Sequence, residues 1–279
     1  MQRARDSPSL EASLATTLHA VALLLYVALG LQAVRRWGLA RDEAPAPKPR
    51  AWALAAVVHA AALGVRALQP EAPGLAESLS GVGLGVAVAI VGFAQGERGR
   101  LVPFLAPVAA LFAGAGLVAP GAHPEASGNG LWVAVHVALV LAGMSAMLVE
   151  AAVAVAAALL RRQLKRKELA ALDRYPSLAS LEVVQQRALA LGLVLLGLGV
   201  VLGAWTAAQL LPHAVWVANP KVLFTAAVWG WYAAAALLRA QAGWQSRGAF
   251  AMSLVGAAAI LFSLFGLDYV VRGFHGYLG

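Results

Sequence analysis

The sequence predicts an all-α, polytopic membrane bundle of about eight transmembrane helices, with both termini on the outer side. Three observations carry this. Of the 279 residues, 61% are hydrophobic and only 12% are charged, about half the charge of a soluble domain, so too little polar surface exists to face water. Eight mostly apolar stretches of roughly 20 residues follow one another, each long enough to cross a bilayer. Lys and Arg collect in alternate breaks between them, which sets an orientation.

The stretches are 11–34, 51–69, 77–95, 101–120, 131–160, 187–211, 221–238 and 249–271. The first ends at a basic, Pro-rich segment, residues 35–50, through which no helix continues. The second ends near a Pro- and Gly-bearing turn. Residues 95–100, with two glycines and two arginines, form a short polar turn before the fourth. The third and fourth stretches are the weakest helix formers, because of Gly81, Gly83, Gly85, Pro103 and Pro107. Bundles tolerate such residues where neighbours re-satisfy the backbone. Residues 120–130 are rich in Pro, Gly, Asn and Ser and read as a loop. Residues 161–186 are the one long polar segment, and 211–220 and 240–248 complete the breaks. The first stretch lacks a small-residue cleavage site, which predicts that it is retained.

Most of the 21 basic residues fall in four breaks: 35–50, 95–100, 161–187 and 239–248. Arg239 is counted with the last. The other breaks hold only Arg3, Arg5, Lys221 and Arg272, and Arg66 sits inside a span. The positive-inside rule then places both termini outside. The net charge of +8 is thus a topology signal beside anionic lipid, and nucleic acid is not a partner. The chain has no cysteine, which excludes disulfides, thiolate metal sites and covalent haem attachment to this chain.

Ionisable groups inside spans are costly and mark function by default. The set is His19, His59, Arg66, His136, Glu150 and Asp268, with His123, His213 and His275 in outer breaks or at the interface. His136 lies roughly 8 Å below the outer face at 1.5 Å per residue, and His275 follows the last span. All six histidines fall in the outer half or near the centre. Two imidazoles brought together in a bundle can ligate haem iron axially. A lone membrane histidine, equally, bonds a neighbouring helix. Glu150, near the inner interface, reads as a snorkelling carboxylate, and Asp268 as a cap or a partner of Arg272. Gly199 and Gly203 form a GxxxG that reads as close helix packing.

From residue 131 onward the chain resembles the cytochrome c assembly family of membrane proteins. LWVAVHVALVLAGMSAMLVEAA (131–152) resembles the helix that opens on a histidine just under the outer surface. YPSLASLEVVQQRALALGLVLLGLGVVLGAWTA (175–207) is similar to a Pro-Ser-Leu…Leu-Glu stretch leading into a Gly-rich helix. WVANPKVLFTAAVWGWYAAAALL (216–238) follows, then a segment with Gly-Trp-x-x-Arg and a closing Leu-x-x-x-x-His-x-Tyr. The first 130 residues match in hydropathy alone. A membrane half over 1–130 and an assembly-like half over 131–279 are therefore expected.

The resemblance implies an outer-face site for non-covalent haem b, with His136 and His275 as axial ligands. Trp216 would stack on the macrocycle, and Arg66, Lys221 and Arg272 would pair with propionates. It also implies other cytochrome c assembly proteins and an apocytochrome as partners, in a bacterial cytoplasmic membrane. A stand-alone enzyme is not expected, although a place within a haem lyase is. The loop PHAVWVANPKVLF keeps Trp216, Pro220 and Lys221 of the family's tryptophan-rich pattern. It carries Ala218, Asn219 and Phe224 where that pattern has Trp, Asp and Trp, and Leu237 where a histidine would follow. These departures resemble the HemX-like branch. The alternative reading is thus a regulator of tetrapyrrole synthesis that acts on a cytoplasmic enzyme through residues 161–187. A transporter would need internal repeats and broken helices, and the sequence shows neither.

Overall fold

The computed structural model describes residues 10–38, 49–68, 74–119, 130–210, 216–242 and 247–266. Eight α-helices account for nearly all of them: α1 Leu10–Gly38, α2 Pro49–Ala67, α3 Leu75–Phe93, α4 Val102–Val118, α5 Gly130–Arg166, α6 Leu178–Leu210, α7 Pro220–Ala242 and α8 Arg247–Leu261. A π-helical turn, Phe262–Gly266, continues α8. Each expected span is a helix. Seven of the described helices are long and apolar enough to cross a membrane; α2, with Arg50 and Arg66 at its ends, is the exception. The two Gly- and Pro-rich spans form α3 and α4 intact. Gly83 lets them touch: a Cβ there would fall 3.0 Å from the Ala113 backbone nitrogen.

The segment 161–186 is not the long polar loop its composition suggests. α5 runs on to Arg166 and α6 starts at Leu178, leaving a short 3-10 turn, Leu169–Arg174, between them. At 1.5 Å per residue these helices are about 55 and 50 Å long, well beyond a hydrocarbon core of roughly 30 Å. Their charged ends, Arg162, Lys165 and Arg166, project past it. Charge outside the bilayer does not stop a helix, so a break in hydropathy was mistaken for a break in structure. This basic end is also pinned from the other half. Arg100 Nη1 donates to the Tyr175 carbonyl at 2.7 Å, and the Ser177 amide donates to Glu97. Trp37, Phe104 and Tyr175 pack ring against ring beside them.

Two apolar cores result. One joins α1–α4 to the lower parts of α5 and α6, around Tyr26, Trp52, Leu105, Val153 and Leu181. The other joins α3 and α4 to α5–α8, around Phe112, Met147, Leu196, Tyr232 and Ile260. Between α5 and α6 the approach is tight: a Cβ on Gly143 would stand 2.6 Å from the Leu196 amide nitrogen, and one on Gly199 2.7 Å from Val140 Cγ2.

Candidate functional site

His136 lies on the second turn of α5, at the end of the bundle opposite the basic connections. Its Nδ1 is 2.7 Å from the Gly199 carbonyl of α6. A carbonyl only accepts, so Nδ1 carries the hydrogen, and in the neutral ring Nε2 keeps its lone pair. Nε2 has no hydrogen-bond partner among the described residues. Metal-ligating histidines show this arrangement, one nitrogen anchored by a backbone carbonyl and the other open. Gly203, one turn beyond Gly199, makes room for the ring: a Cβ there would stand 2.6 Å from Nδ1 and 3.1 Å from Nε2. The GxxxG thus has a use that packing alone does not describe. Gly199 supplies the anchor and Gly203 supplies the space.

Sequence reasoning missed the aromatic groups near this ring. Trp132, one turn before His136, meets Trp205, two residues after Gly203, edge to face with ring centroids 5.7 Å apart. Both indoles are about half exposed. The loop's reduced aromatic content is thus accompanied by two indoles on the helices themselves; the i, i+4 spacing from His136 marks Trp132, whereas Trp205 lies on another helix and carries no such signal.

Of the loop residues, Trp216 is half-buried and its carbonyl accepts the Asn219 amide at 3.2 Å. Asn219 is buried, and its Oδ1 accepts the Lys221 amide at 2.9 Å. It is the N-cap of α7, a role that Asn and Asp fill equally well. Replacing Asn219 with alanine should therefore cost about 0.5–2 kcal/mol of stability, and with aspartate close to nothing. Thermal unfolding in detergent checks both.

Arg66 stands apart from this group. Its Nε donates to Glu77 Oε1 at 2.7 Å, and the pair lines a cavity of the N-terminal half with His19 and Ser80. His123, His213, Asp268, Arg272 and His275 lie outside the described residues. Among the described residues, no group of three or more His, Asp or Glu is placed to hold a metal ion.

Two sequence readings need correction. Glu150 does not snorkel: it is fully buried. Arg239 is not a loop residue: it lies in the last turn of α7, 1% exposed, and its Nη2 meets Glu150 Oε1 at 2.6 Å. Gln185 Nε2 of α6 and Ser253 Oγ of α8 also donate to Oε1, each at 2.8 Å. Arg239 Nη2 further donates to the Ala249 carbonyl at 3.0 Å and to Ser253 Oγ. A carboxylate this deep is tolerated because three donors, one from each of three other helices, meet it. The arrangement ties α5, α6, α7 and α8 together near the basic end.

A family model described as cytochrome c assembly protein matches residues 53–275 of the chain. No curated protein matches it closely.

Proposed function

Because the chain belongs to the cytochrome c assembly protein family, and so serves cytochrome c maturation, we propose that it holds haem b through His136 and His275 at the end of the bundle opposite its basic connections. The observation that carries this is the His136 ring, with Nδ1–H fixed on the Gly199 carbonyl and Nε2 without a hydrogen-bond partner among the described residues. An anchored ring loses little freedom on ligation, and its tautomer is already the ligating one. His275 is paired with it on the resemblance of the chain's end to the family. Bound haem would supply the iron, which His136 and His275 would hold through their imidazole nitrogens. The protein's own work is to fix one nitrogen, to cover the macrocycle with Trp216, and to meet the propionates with Lys221 and Arg272. Arg66 keeps Glu77 as its partner and is left out of the propionate set. Other assembly proteins would deliver haem to this site, and an apocytochrome would receive it.

The test is a visible spectrum of the purified protein. The expected result is a Soret band with sharp reduced α and β bands, the mark of six-coordinate haem. His136→Ala should reduce retained haem at least about tenfold, the weight of roughly 1.4 kcal/mol, and free imidazole should restore part of it to His136→Gly. An unchanged spectrum in His136→Ala would end the assignment. A protein that never contains haem, even with precursor in excess, would end the function.

A further inference from the structure

The N-terminal half holds a second cluster of titratable groups, which the haem reading does not use. Ser80 of α3 stands between two imidazoles. Its Oγ is 2.7 Å from His59 Nε2 of α2 and 3.2 Å from His19 Nε2 of α1. The Tyr26 hydroxyl of α1 is 3.1 Å from His59 Nδ1. Tyr26, His59 and Ser80 are buried, and His19 is half-buried. The two imidazole centroids are 5.0 Å apart. Inward, the chain closes on Tyr26, whose ring stacks on Trp52 at 6.1 Å within the apolar core.

Outward, the chain opens. A cavity of about 160 Å³ reaches His19 and Ser80 and is walled by Thr16, Leu63, Arg66 and Glu77. At about 30 Å³ each it has room for roughly five waters. Gly116 of α4 keeps it open, since a Cβ there would fall 3.1 Å from His19 Cε1 and 2.9 Å from Ser80 Cβ. The residues involved map the cavity to the end where α2 finishes and α3 begins, opposite the basic connections.

Counting hydrogens shows what such a cluster does. A hydroxyl has one hydrogen and two lone pairs. With both rings neutral, Ser80 accepts from one Nε2–H and donates to the other Nε2. In one such arrangement His19 carries its own hydrogen on Nδ1 and takes the Ser80 hydrogen at Nε2. His59 Nε2–H then donates to Ser80, and Tyr26 donates to His59 Nδ1. Add one proton at His19 Nε2. Both rings now donate to the two lone pairs of Ser80, and the Ser80 hydrogen turns to water in the cavity. No group is orphaned in either state. A second proton would set two imidazolium rings side by side, which like-charge repulsion opposes.

We infer that the His19–Ser80–His59 cluster is a site that binds one proton, exchanged with water through the cavity at one end of the bundle only. A hydronium ion in the cavity gives its proton to His19 Nε2 and leaves as water, and release is the reverse. The groups that face the site are Thr16 and Tyr26 from α1, Arg66 from α2 and Glu77 from α3. α4 offers only the Ala113 carbonyl and Gly116. Glu77 lies within electrostatic reach of His19, and its charge is shared with Arg66, which it pairs at 2.7 Å.

The absence of cysteine makes the first arm of the test direct. Thr16→Cys and Leu63→Cys, on the cavity wall, and Val57→Cys, on the exposed face of α2, are each the sole thiol of the full chain in vesicles. A membrane-impermeant cationic thiol reagent is applied from either face. Both wall thiols should react from one face only, about tenfold faster than the control, since thiolate forms in water. Labelling from both faces, or of neither wall thiol, overturns the inlet. The second arm is imidazole NMR of histidine-labelled protein, assigned with His19→Gln and His59→Gln. Between about pH 4 and pH 9 one proton should enter the pair. Glu77→Gln should lower that midpoint. Ser80→Ala, a smaller disturbance, should leave His19 titrating independently of His59→Gln. Two protons entering together, or none, overturns the site.

Discussion

Replacing Arg239 with methionine is expected to destabilise the protein more than any other single change in the bundle, by about 3–5 kcal/mol. The substitution removes the guanidinium that meets Glu150 at 2.6 Å, and it leaves a fully buried carboxylate. Gln185 and Ser253 still donate to Oε1, but neither carries charge, while Oε2 has no hydrogen-bond partner among the described residues. The variant should unfold at lower detergent or denaturant concentration. Removing both charges, in Glu150→Leu with Arg239→Met, should recover most of the loss, because the main cost is the unpaired charge and not the missing attraction. Gln185→Leu should cost less, about 1–3 kcal/mol, as one lost hydrogen bond to a charged group. A cost for Arg239→Met below about 1 kcal/mol would mean that the pair is hydrated like a surface one.

If haem sits at the proposed site, Gly203→Val is expected to abolish ligation by His136 while leaving the helix count unchanged. Its Cβ would stand 2.6 Å from His136 Nδ1, so the imidazole must leave its place against α6. The anchor on the Gly199 carbonyl goes with it. Overpacking of this kind costs about 1–3 kcal/mol in stability. Retained haem should fall as far as in His136→Ala, and circular dichroism should stay unchanged. Gly203→Ala is the graded control and should lie between. Full haem retention in Gly203→Val would show that the ring does not need this position to bind.

The helices were legible because the bilayer imposes a length and a polarity on each of them. Every stretch read from hydropathy became a helix, including the third and fourth with their Gly and Pro. What hydropathy could not convey was where helices end outside the membrane. Residues 161–166 and 178–186 look like loop by charge and are helix in fact. Arg239 was misread for a related reason. Counting charges along a chain treats each as facing water, and Arg239 faces Glu150, a partner on a helix formed far earlier in the sequence. His136 stands out as an ionisable group inside a span, and the family's pattern pairs it with His275, yet its anchor is Gly199, 63 residues away. The His19–Ser80–His59 cluster was half visible. The histidines stood out as membrane polar groups, but Ser80, which joins them, is an ordinary serine in a Gly-rich span.

The Glu150–Arg239 pair also bears on how the chain enters the bilayer during synthesis. Of the seven candidate spans, α7 is the least apolar, and an arginine within a span adds to the cost of insertion, up to about 2.5–3.5 kcal/mol at a helix centre and less toward its end. α5, made two helices earlier, already carries the compensating carboxylate. The arrival of α7 is therefore conditional on α5 being in place, and α8 completes the contact with Ser253. The last four helices join as an ordered series, each prepared by one before it. A segment spliced from α7 alone into a neutral host should insert poorly, and should do so efficiently once Arg239 is changed to leucine.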